Sequence, residues 1–467
     1  MEIEQIKKII KENTRGFTGY ISRVRKAELY YRNQNDILRR RNPLAESHKD
    51  KDPDNPLRNA DNRISHNWHQ LLLNQKASYA MTVPPAFDVD DESLNHDIVV
   101  IFGDKYPKIA KDLCINAGNA GMAWLHVWRD PDNDFFKYAV VDSKQIRPVF
   151  SKSLDHNLEG VLRIYEDYNE EGDTIIVYEY WNDTECWAYS TKKKDGLEGL
   201  DEHRIFSIVQ NDEAEETNQF THDWGAIPFI PFRNNPIEQS DLDPIKALID
   251  VYDKVYSGFV NDIDDIQEII FVLTNYAGED KKEFMDDLKR YKMVKVDSED
   301  GEKSGVDTLA IEIPVEARNK LLEITREAIF TNGQGVDPQK NIGTNNSGVA
   351  LKYMYSLLEL KTGMLETEFR VGFAELARFV LKYKGVDPDV QIKQTWTRTS
   401  INNDSELADI VAKMAPNTSR ENIAKSNPIV EDWEAELANL KKEQEEDIRA
   451  VDDYKTGDPD DPEDPEE

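Results

Sequence analysis

The sequence predicts a mixed α+β chain, mainly helical, and three observations carry that prediction. Apolar residues recur at helical spacing over much of residues 1–117 and again over 242–383. Between them, residues 122–209 hold six short runs rich in β-branched and aromatic residues, separated by turn signals. Two long helical patterns also flank a small stretch, 268–314, that alternates strand and helix signals and is too short for a core of its own.

The elements follow in order. Ile3, Ile6 and Ile10, then Tyr20, Val24, Ala27 and Tyr31, mark helix over residues 1–33. Pro43, Pro53 and Pro56 make residues 41–62 a polar arm. A helix is expected over Ser65–Tyr79, stopped by Val83-Pro84-Pro85, and one continuous helix over Leu94–Ala117. The strand runs are Met122–Arg129, Lys137–Val141, Val161–Tyr165, Thr174–Trp181, Glu185–Ser190 and His203–Val209. They read as an antiparallel meander with Trp124, Trp128, Trp181 and Trp187 in its core.

After the extended, proline-punctuated stretch 225–236 comes the clearest amphipathic helix. Its stripe is Ile245, Leu248, Ile249, Tyr252, Val255, Tyr256, Phe259, Val260, Ile263 and Ile266. Asp250, Asp253, Asp262, Asp264 and Asp265 lie on the other face, and Asp262, Asp264 and Asp265 read as a solvated face. The insertion reads as strand Ile269–Thr274, helix Asp280–Arg290, strand Met293–Asp297 and strand Thr308–Ile313. A second long helix follows Pro314 to about Phe330, then a flexible Gly- and Asn-rich tract, 332–348, then a third helix, Val349–Tyr383. That third helix shows Tyr353, Leu357, Leu360, Met364, Phe369, Phe373, Leu376 and Phe379. A strand at Val390–Thr395 and short helices close the chain, before an acidic tail whose composition predicts disorder.

Composition narrows the function. The net charge is -33, with 39% hydrophobic and 32% charged residues, wetter than an average globular domain. Such an acidic chain cannot grip DNA by neutralising its phosphates, although it can enclose DNA without holding it. Cys114 and Cys186 lie far apart with no metal or redox spacing and read as reduced thiols. No apolar run reaches the length of a membrane span, and the first residues lack the apolar core of a secretory leader. The chain contains no G-x-x-x-x-G-K-[ST], His-Glu-x-x-His or G-x-S-x-G motif. His66 and His69 sit three apart with no third ligand in view, so an ordinary structural role is expected for both.

Two motifs, in order and with the helix–insertion–helix between them, carry a resemblance. Asn62-Arg63-Ile64-Ser65-His66-Asn67-Trp68, followed by Ser78-Tyr79-Ala80-Met81-Thr82-Val83-Pro84-Pro85, resembles an N-terminal signature: an Asn-x-Ile helix ending in Ser-Tyr-x-x-x-x-Pro. Asn346-Ser347-Gly348-Val349-Ala350-Leu351-Lys352 resembles a Ser-Gly-x-Ala-Leu-Lys segment. Both are similar to the portal protein family of tailed double-stranded DNA phages, in the branch found in long-tailed phages of Gram-positive bacteria.

The resemblance implies a ring subunit, usually one of twelve, with a wing (1–241), a first stem helix (242–267), a clip (268–314), a second stem helix (315–332), a tunnel loop (333–348), a long wing helix (349–389) and a crown (390–447). The tail, 448–467, lies beyond. The ring would admit, retain and release double-stranded DNA at one capsid vertex of the virion, after assembly in the host cytoplasm. It would dock terminase and the head-to-tail adaptor, mainly through the clip, and capsid and scaffold proteins through the wing. The resemblance implies neither a cofactor nor an enzymatic activity. Asp337, Gln339, Lys340, Asn341, Gly343, Thr344, Asn345, Asn346 and Ser347 are the candidates for the channel constriction, and Lys320 and Arg326 for the stem lumen. The alternatives from other classes are an acidic adaptor without a channel, which would stay monomeric or dimeric, and a metal-dependent nuclease, which would cleave DNA with magnesium.

Overall fold

A computed structural model describes residues 1–39, 60–155, 157–210, 213–266, 270–274, 305–309, 314–339, 348–398, 412–426, 433 and 436–444. The helices are α1 (Ile3–Thr14), α2 (Phe17–Tyr31), α3 (Trp68–Met81), α4 (Glu92–Phe102), α5 (Tyr106–Ala120), α6 (Lys246–Ile266), α7 (Val315–Asn332), α8 (Gly348–Tyr383) and α9 (Arg420–Ser426). The strands begin with β1 (Ala86–Asp88), β2 (Met122–Arg129), β3 (Phe136–Val141), β4 (Ile146–Phe150), β5 (Leu158–Tyr168), β6 (Thr174–Trp181), β7 (Glu185–Lys192) and β8 (Asp201–Glu202). They continue with β9 (Phe206–Gln210), β10 (Glu213–Thr217), β11 (Gln219–Thr221), β12 (Phe229–Arg233), β13 (Ile270–Thr274), β14 (Gly305–Leu309) and β15 (Lys393–Thr395). The chain is thus mixed helix and sheet. It divides into two compact units, residues 1–337 with 357–398, and residues 338–356 with 399–467.

In the first unit the expected meander exists but is split. Strands β4 to β7 run as antiparallel neighbours, with β11 and β8 both paired to β7. The runs 122–129 and 136–141 instead form a separate sheet, in the order β12-β2-β3. The stretch read only as extended supplies β12, an edge strand that tolerates Pro231 because its ladder there is one-sided. Strand β4 escaped notice because Arg147 and Pro148 break its alternation. Helix α1 lays Ile6 and Ile10 on the larger sheet, against Leu162, Tyr178, Trp187 and Tyr189. Trp124, Trp181 and Trp187 are buried as expected, and Trp128 is half-buried.

The main core joins α3, α5, the smaller sheet and α8. Phe232 stacks edge-on against Phe369 and Phe373, at 5.1 and 5.0 Å between ring centres. Helix α8 buries Leu365, Phe369, Phe373, Leu376, Ala377 and Val380, whereas Tyr353, Leu360 and Met364 are exposed. The apolar residues of α8 therefore occupy two faces, of which only one is core.

Helix boundaries differ from expectation where backbone chemistry intervenes. The helix expected over 94–117 breaks at Gly103, whose φ of +58° favours glycine, and restarts with Pro107 in its first turn. Asp91 caps α4 by accepting from the Leu94 N–H at 3.0 Å. Helix α5 ends at Gly121, at φ +84°, where an added Cβ would stand 2.0 Å from the Glu238 carbonyl oxygen. Gly121→Ala is therefore expected to cost about 2 kcal/mol from strain at that φ, read as a lowered urea midpoint at unchanged m-value.

In the second unit, α9 and residues 436–444 are helical, and the Arg420 guanidinium donates to Gln444 at 2.6 Å. The helix and middle strand expected over 280–297 lie outside the described residues, as does the acidic tail.

Candidate functional site

Helix α6 has 21 residues and α7 has 18, so each spans about 30 Å at 1.5 Å per residue. They pack antiparallel. Ile245 and Ile249 near the start of α6 meet Ile329 and Phe330 at the end of α7. At the other end Asp262 pairs with Arg318, whose guanidinium also lies 5.5 Å from the Phe259 ring. Pro314 occupies the N-cap position of α7, and β13 and β14, from the stretch between the two helices, form an antiparallel pair from Ile270↔Leu309 to Thr274↔Gly305. The return of the second long helix along the first was expected, and these contacts establish it.

The acidic face of α6 is solvated only toward its end, where Asp264 is exposed and Asp262 half-buried; Asp250 and Asp253 are engaged within the fold. Asp253 is fully buried. It accepts from the Asn35 side-chain amide at 2.7 Å, from the His66 backbone N–H at 3.0 Å, and lies 2.8 Å from His66 Nδ1. Asp250 accepts from Tyr30 and from Lys246, the latter at 2.6 Å. These carboxylates are polar anchors for the N-terminal segment, which composition alone does not reveal.

The anchors form a pattern. Asp253, Ser257, Asn261 and Asp264 recur at one-turn spacing on α6, and each meets the extended segment 62–66. The Ile64 N–H donates to Ser257 Oγ at 3.0 Å, the Asn62 N–H to Asn261 Oδ1 at 2.6 Å, and the Asn62 amide to Asp264 at 2.5 Å. Alternate residues of an extended strap are thus zipped to successive turns of a helix. The Asn-x-Ile motif is this strap, and the helix that follows begins at Trp68 rather than Ser65. Trp68 then packs edge-on to Tyr252 and Phe330, at 5.2 and 5.7 Å. The signal was present in the sequence as a polar stripe, Asp253, Ser257, Asn261 and Asp264, beside the apolar one.

The tract that follows α7 is pinned over its first part, which corrects its reading as wholly flexible. Gln75 clamps Val336 both ways, accepting from its N–H at 3.0 Å and donating to its carbonyl at 2.8 Å. Gly333 and Gly335 lie so close to Leu72 that an added Cβ would stand 2.6 and 2.2 Å from its methyl groups. Lys361 of α8 donates to the Gly333 carbonyl at 2.9 Å. Asp337 pairs with Arg326, so that these two candidate residues hold each other at the foot of the tract. Lys320 is exposed and pairs with Glu323 at 2.8 Å, and Gln339 is exposed. Lys340, Asn341, Gly343, Thr344, Asn345, Asn346 and Ser347 lie outside the described residues.

Beneath this foot lies a buried charge cluster that sequence reasoning missed. Lys76 is 1% exposed and donates to Asp241 at 2.6 Å and to Asn234 at 2.5 Å. Lys361 lies 3.5 Å from the other Asp241 oxygen. Burial alone would raise the Asp241 carboxyl, but the charges of Lys361 and Lys76, with hydrogen bonds from Lys76 and Asn234, outweigh it and hold it well below the carboxylate range. Burial conversely lowers Lys361. His69 is buried, hydrogen-bonded to Asn119 at 2.9 Å and pushed down to about 4 by burial, the state of a neutral structural imidazole. Among the described residues no three His, Cys, Asp or Glu side chains converge as a metal site would require. Among them, too, no helix is long and apolar enough to cross a membrane.

Known proteins share this arrangement of sequence. The model of the family described as phage portal protein, SPP1 Gp6-like, matches residues 9–450. The portal protein of Clostridium phage phiCD119 is 38% identical over 469 residues, covering 97% of this chain and 99% of its own. The portal protein of Bacillus phage SPP1 is 32% identical over 425 residues, covering 89% of this chain and 82% of its own. Among solved structures, a chain from the neck of an empty GTA particle aligns over 80% of this chain and 90% of its own, at 12% identity and a TM-score of 0.43. With a family match spanning residues 9–450 and relatives at 38% and 32% identity, the chain belongs to the SPP1 Gp6-like family of phage portal proteins.

Proposed function

We propose that copies of this chain close into a ring of about twelve, that α6 and α7 form its stem around a DNA channel, and that residues 337–347 line the constriction. One observation carries the reading. The helical hairpin exposes apolar side chains that a lone chain leaves in water: Val251, Ile263, Val315, Leu321 and Ile324 are 43–53% exposed. Repeated around an axis, each hairpin covers these side chains with its neighbours, and a head-to-tail contact whose rotation closes makes a ring. The β13–β14 pair would be marginal alone and gains strands from adjacent copies in such a ring. Terminase and the head-to-tail adaptor then dock at this end, the clip, and capsid and scaffold proteins at the wing, 1–241 with the long helix of 349–389. Residues 390–447 form the crown.

The charge fits passage rather than grip. With a net charge of -33 the wall repels phosphates, so no deep electrostatic trap forms along the channel. Lys320 and Arg326 are the stem cations nearest this role, although both are already paired within the chain. The work is mechanical and electrostatic, without catalysis, and takes place in the virion after assembly in the host cytoplasm.

The constriction is testable apart from the fold. Exchanging residues 338–347 for a short Gly-Ser link keeps the Asp337–Arg326 pair and the Gln75 clamp. Rings of normal size that package little DNA in a complementation assay are expected. Normal packaging by such rings would remove the loop from the mechanism.

A further inference from the structure

The chain carries two surface patches of opposite charge that do not answer each other within one copy. The first is a groove of about 750 Å³ between β12, the outer face of α8 and the β4–β5 turn. Its floor is apolar, from Ile227, Phe379 and Val371, the last 65% exposed. Its rim is acidic: Asp155, Glu159, Asp183, Glu368 and Glu375 against one cation, Arg233, which sits 3.1 Å from Glu238. Among the described residues, Asp155, Glu159, Asp183 and Glu368 form no ion pair, whereas Glu375 pairs with Arg378. The apolar surface runs on along the same face of α8 through Met364 and Leu360, 54% and 63% exposed. A monomer gains nothing from an exposed apolar strip bordered by uncompensated carboxylates.

The second patch is basic. In a chain of net charge -33, residues 1–39 hold nine Lys and Arg against five Asp and Glu. Lys8, Lys11 and Arg15 of the α1 segment and Arg25 and Arg32 of the α2 segment are exposed and form no ion pair among the described residues. Helix α1 buries Ile6 and Ile10 against the sheet, so Lys8 and Lys11 lie on its outward side, together with the exposed Glu12 and with Glu4, which pairs with Lys7.

We propose that the acidic groove of one copy receives the basic face of α1 and α2 of the next copy. The proposal rests on the ring reading above and specifies the contact that closes it. A head-to-tail ring needs two different, complementary patches on every subunit, not one self-complementary patch. This chain supplies such a pair: one acidic with an apolar floor, one basic and displayed on helices. The charge excludes DNA as the occupant of the groove. A basic segment of a foreign protein would match the groove but would leave the basic face of α1 and α2 unanswered. Opposite charges across the contact also set its register and suppress wrong pairings.

Charge reversal tests it on the full chain. Glu159→Lys with Glu368→Lys inverts two of the groove's carboxylates and cancels its net charge, and Lys8→Glu with Arg15→Glu inverts two of the five cations on the helices. Each pair alone is expected to lower the assembled fraction about tenfold or more, because it replaces attraction across the contact with like-charge repulsion at the altered positions. All four substitutions in one chain are expected to restore it. Far-UV circular dichroism and thermal melting confirm that each variant folds, and sedimentation reads assembly. Undiminished rings from either reversed pair, or a folded fourfold variant that stays unassembled, would overturn the contact. Undiminished rings that lose binding to another virion protein would assign the groove to that protein and equally overturn it. A wild-type chain that never forms rings would instead remove the ring reading itself, so the two failures are distinguishable.

Discussion

Asp241→Asn is expected to lower the stability of the chain by about 3–5 kcal/mol, the usual cost of removing one partner from a buried ion pair. Among the described residues, Asp241 is the only carboxylate placed against Lys76 and Lys361, two ammonium groups that are themselves almost fully enclosed. Without it both remain buried as uncompensated charges. The damage would not stay local, because Lys361 also donates to the Gly333 carbonyl at the end of α7. The urea midpoint of the variant should fall sharply with little change in m-value. Adding Lys361→Met should recover part of the loss, since the two sites share one network and their effects are not additive. A loss under 1 kcal/mol would mean that the cluster is hydrated and does not hold the foot of the loop. The sign with pH follows. The folded-state value of Asp241 lies well below that of the unfolded chain, about 3.9. Its contribution is therefore complete above that value and is lost as pH falls through the folded one.

Asp253→Ala is expected to cost about 3 kcal/mol, because a fully buried acceptor is removed from several donors at once. The Asn35 amide, the His66 N–H and the His66 ring all lose their partner. The expected signature goes beyond stability. With its deepest anchor gone, the strap over residues 62–66 should detach from α6, seen as faster amide exchange at Ile64 and His66. Asn261→Ala, which removes a shallower anchor, should loosen Asn62 alone and cost about 1 kcal/mol. Equal exchange at all three strap amides in the Asp253→Ala variant and the parent would show that the strap is held by packing, not by these hydrogen bonds.

Much of this architecture was legible in the sequence, for physical reasons that particular residues make clear. The stripe from Ile245 to Ile266 is long and strongly periodic, so α6 and its return partner were readable without tertiary information. Strands rich in Trp, Tyr, Val and Ile were equally plain, but their division into two sheets was not, because pairing depends on contacts far apart in sequence. Polar residues misled most. An aspartate on a helix reads as solvated until its partner is known, and the partners of Asp253 and Asp250 lie about 200 positions earlier, at Asn35, His66 and Tyr30. The same holds for Lys76, whose length and charge suggest surface while Asp241, 165 residues on, makes its burial possible. Of the candidate channel residues, Arg326 and Asp337 turn out to hold each other, a pairing their separation of eleven residues does not announce.

The most direct test of the account is electron microscopy of the purified, assembled protein as a phage portal. The expected result is a closed ring of about twelve copies with an open axial hole bounded by α6 and α7. The strap over residues 62–66 should lie along α6 in every copy. A chain that stays monomeric at all concentrations, or an assembly whose axis is filled by these helices packed into a solid core, would contradict it.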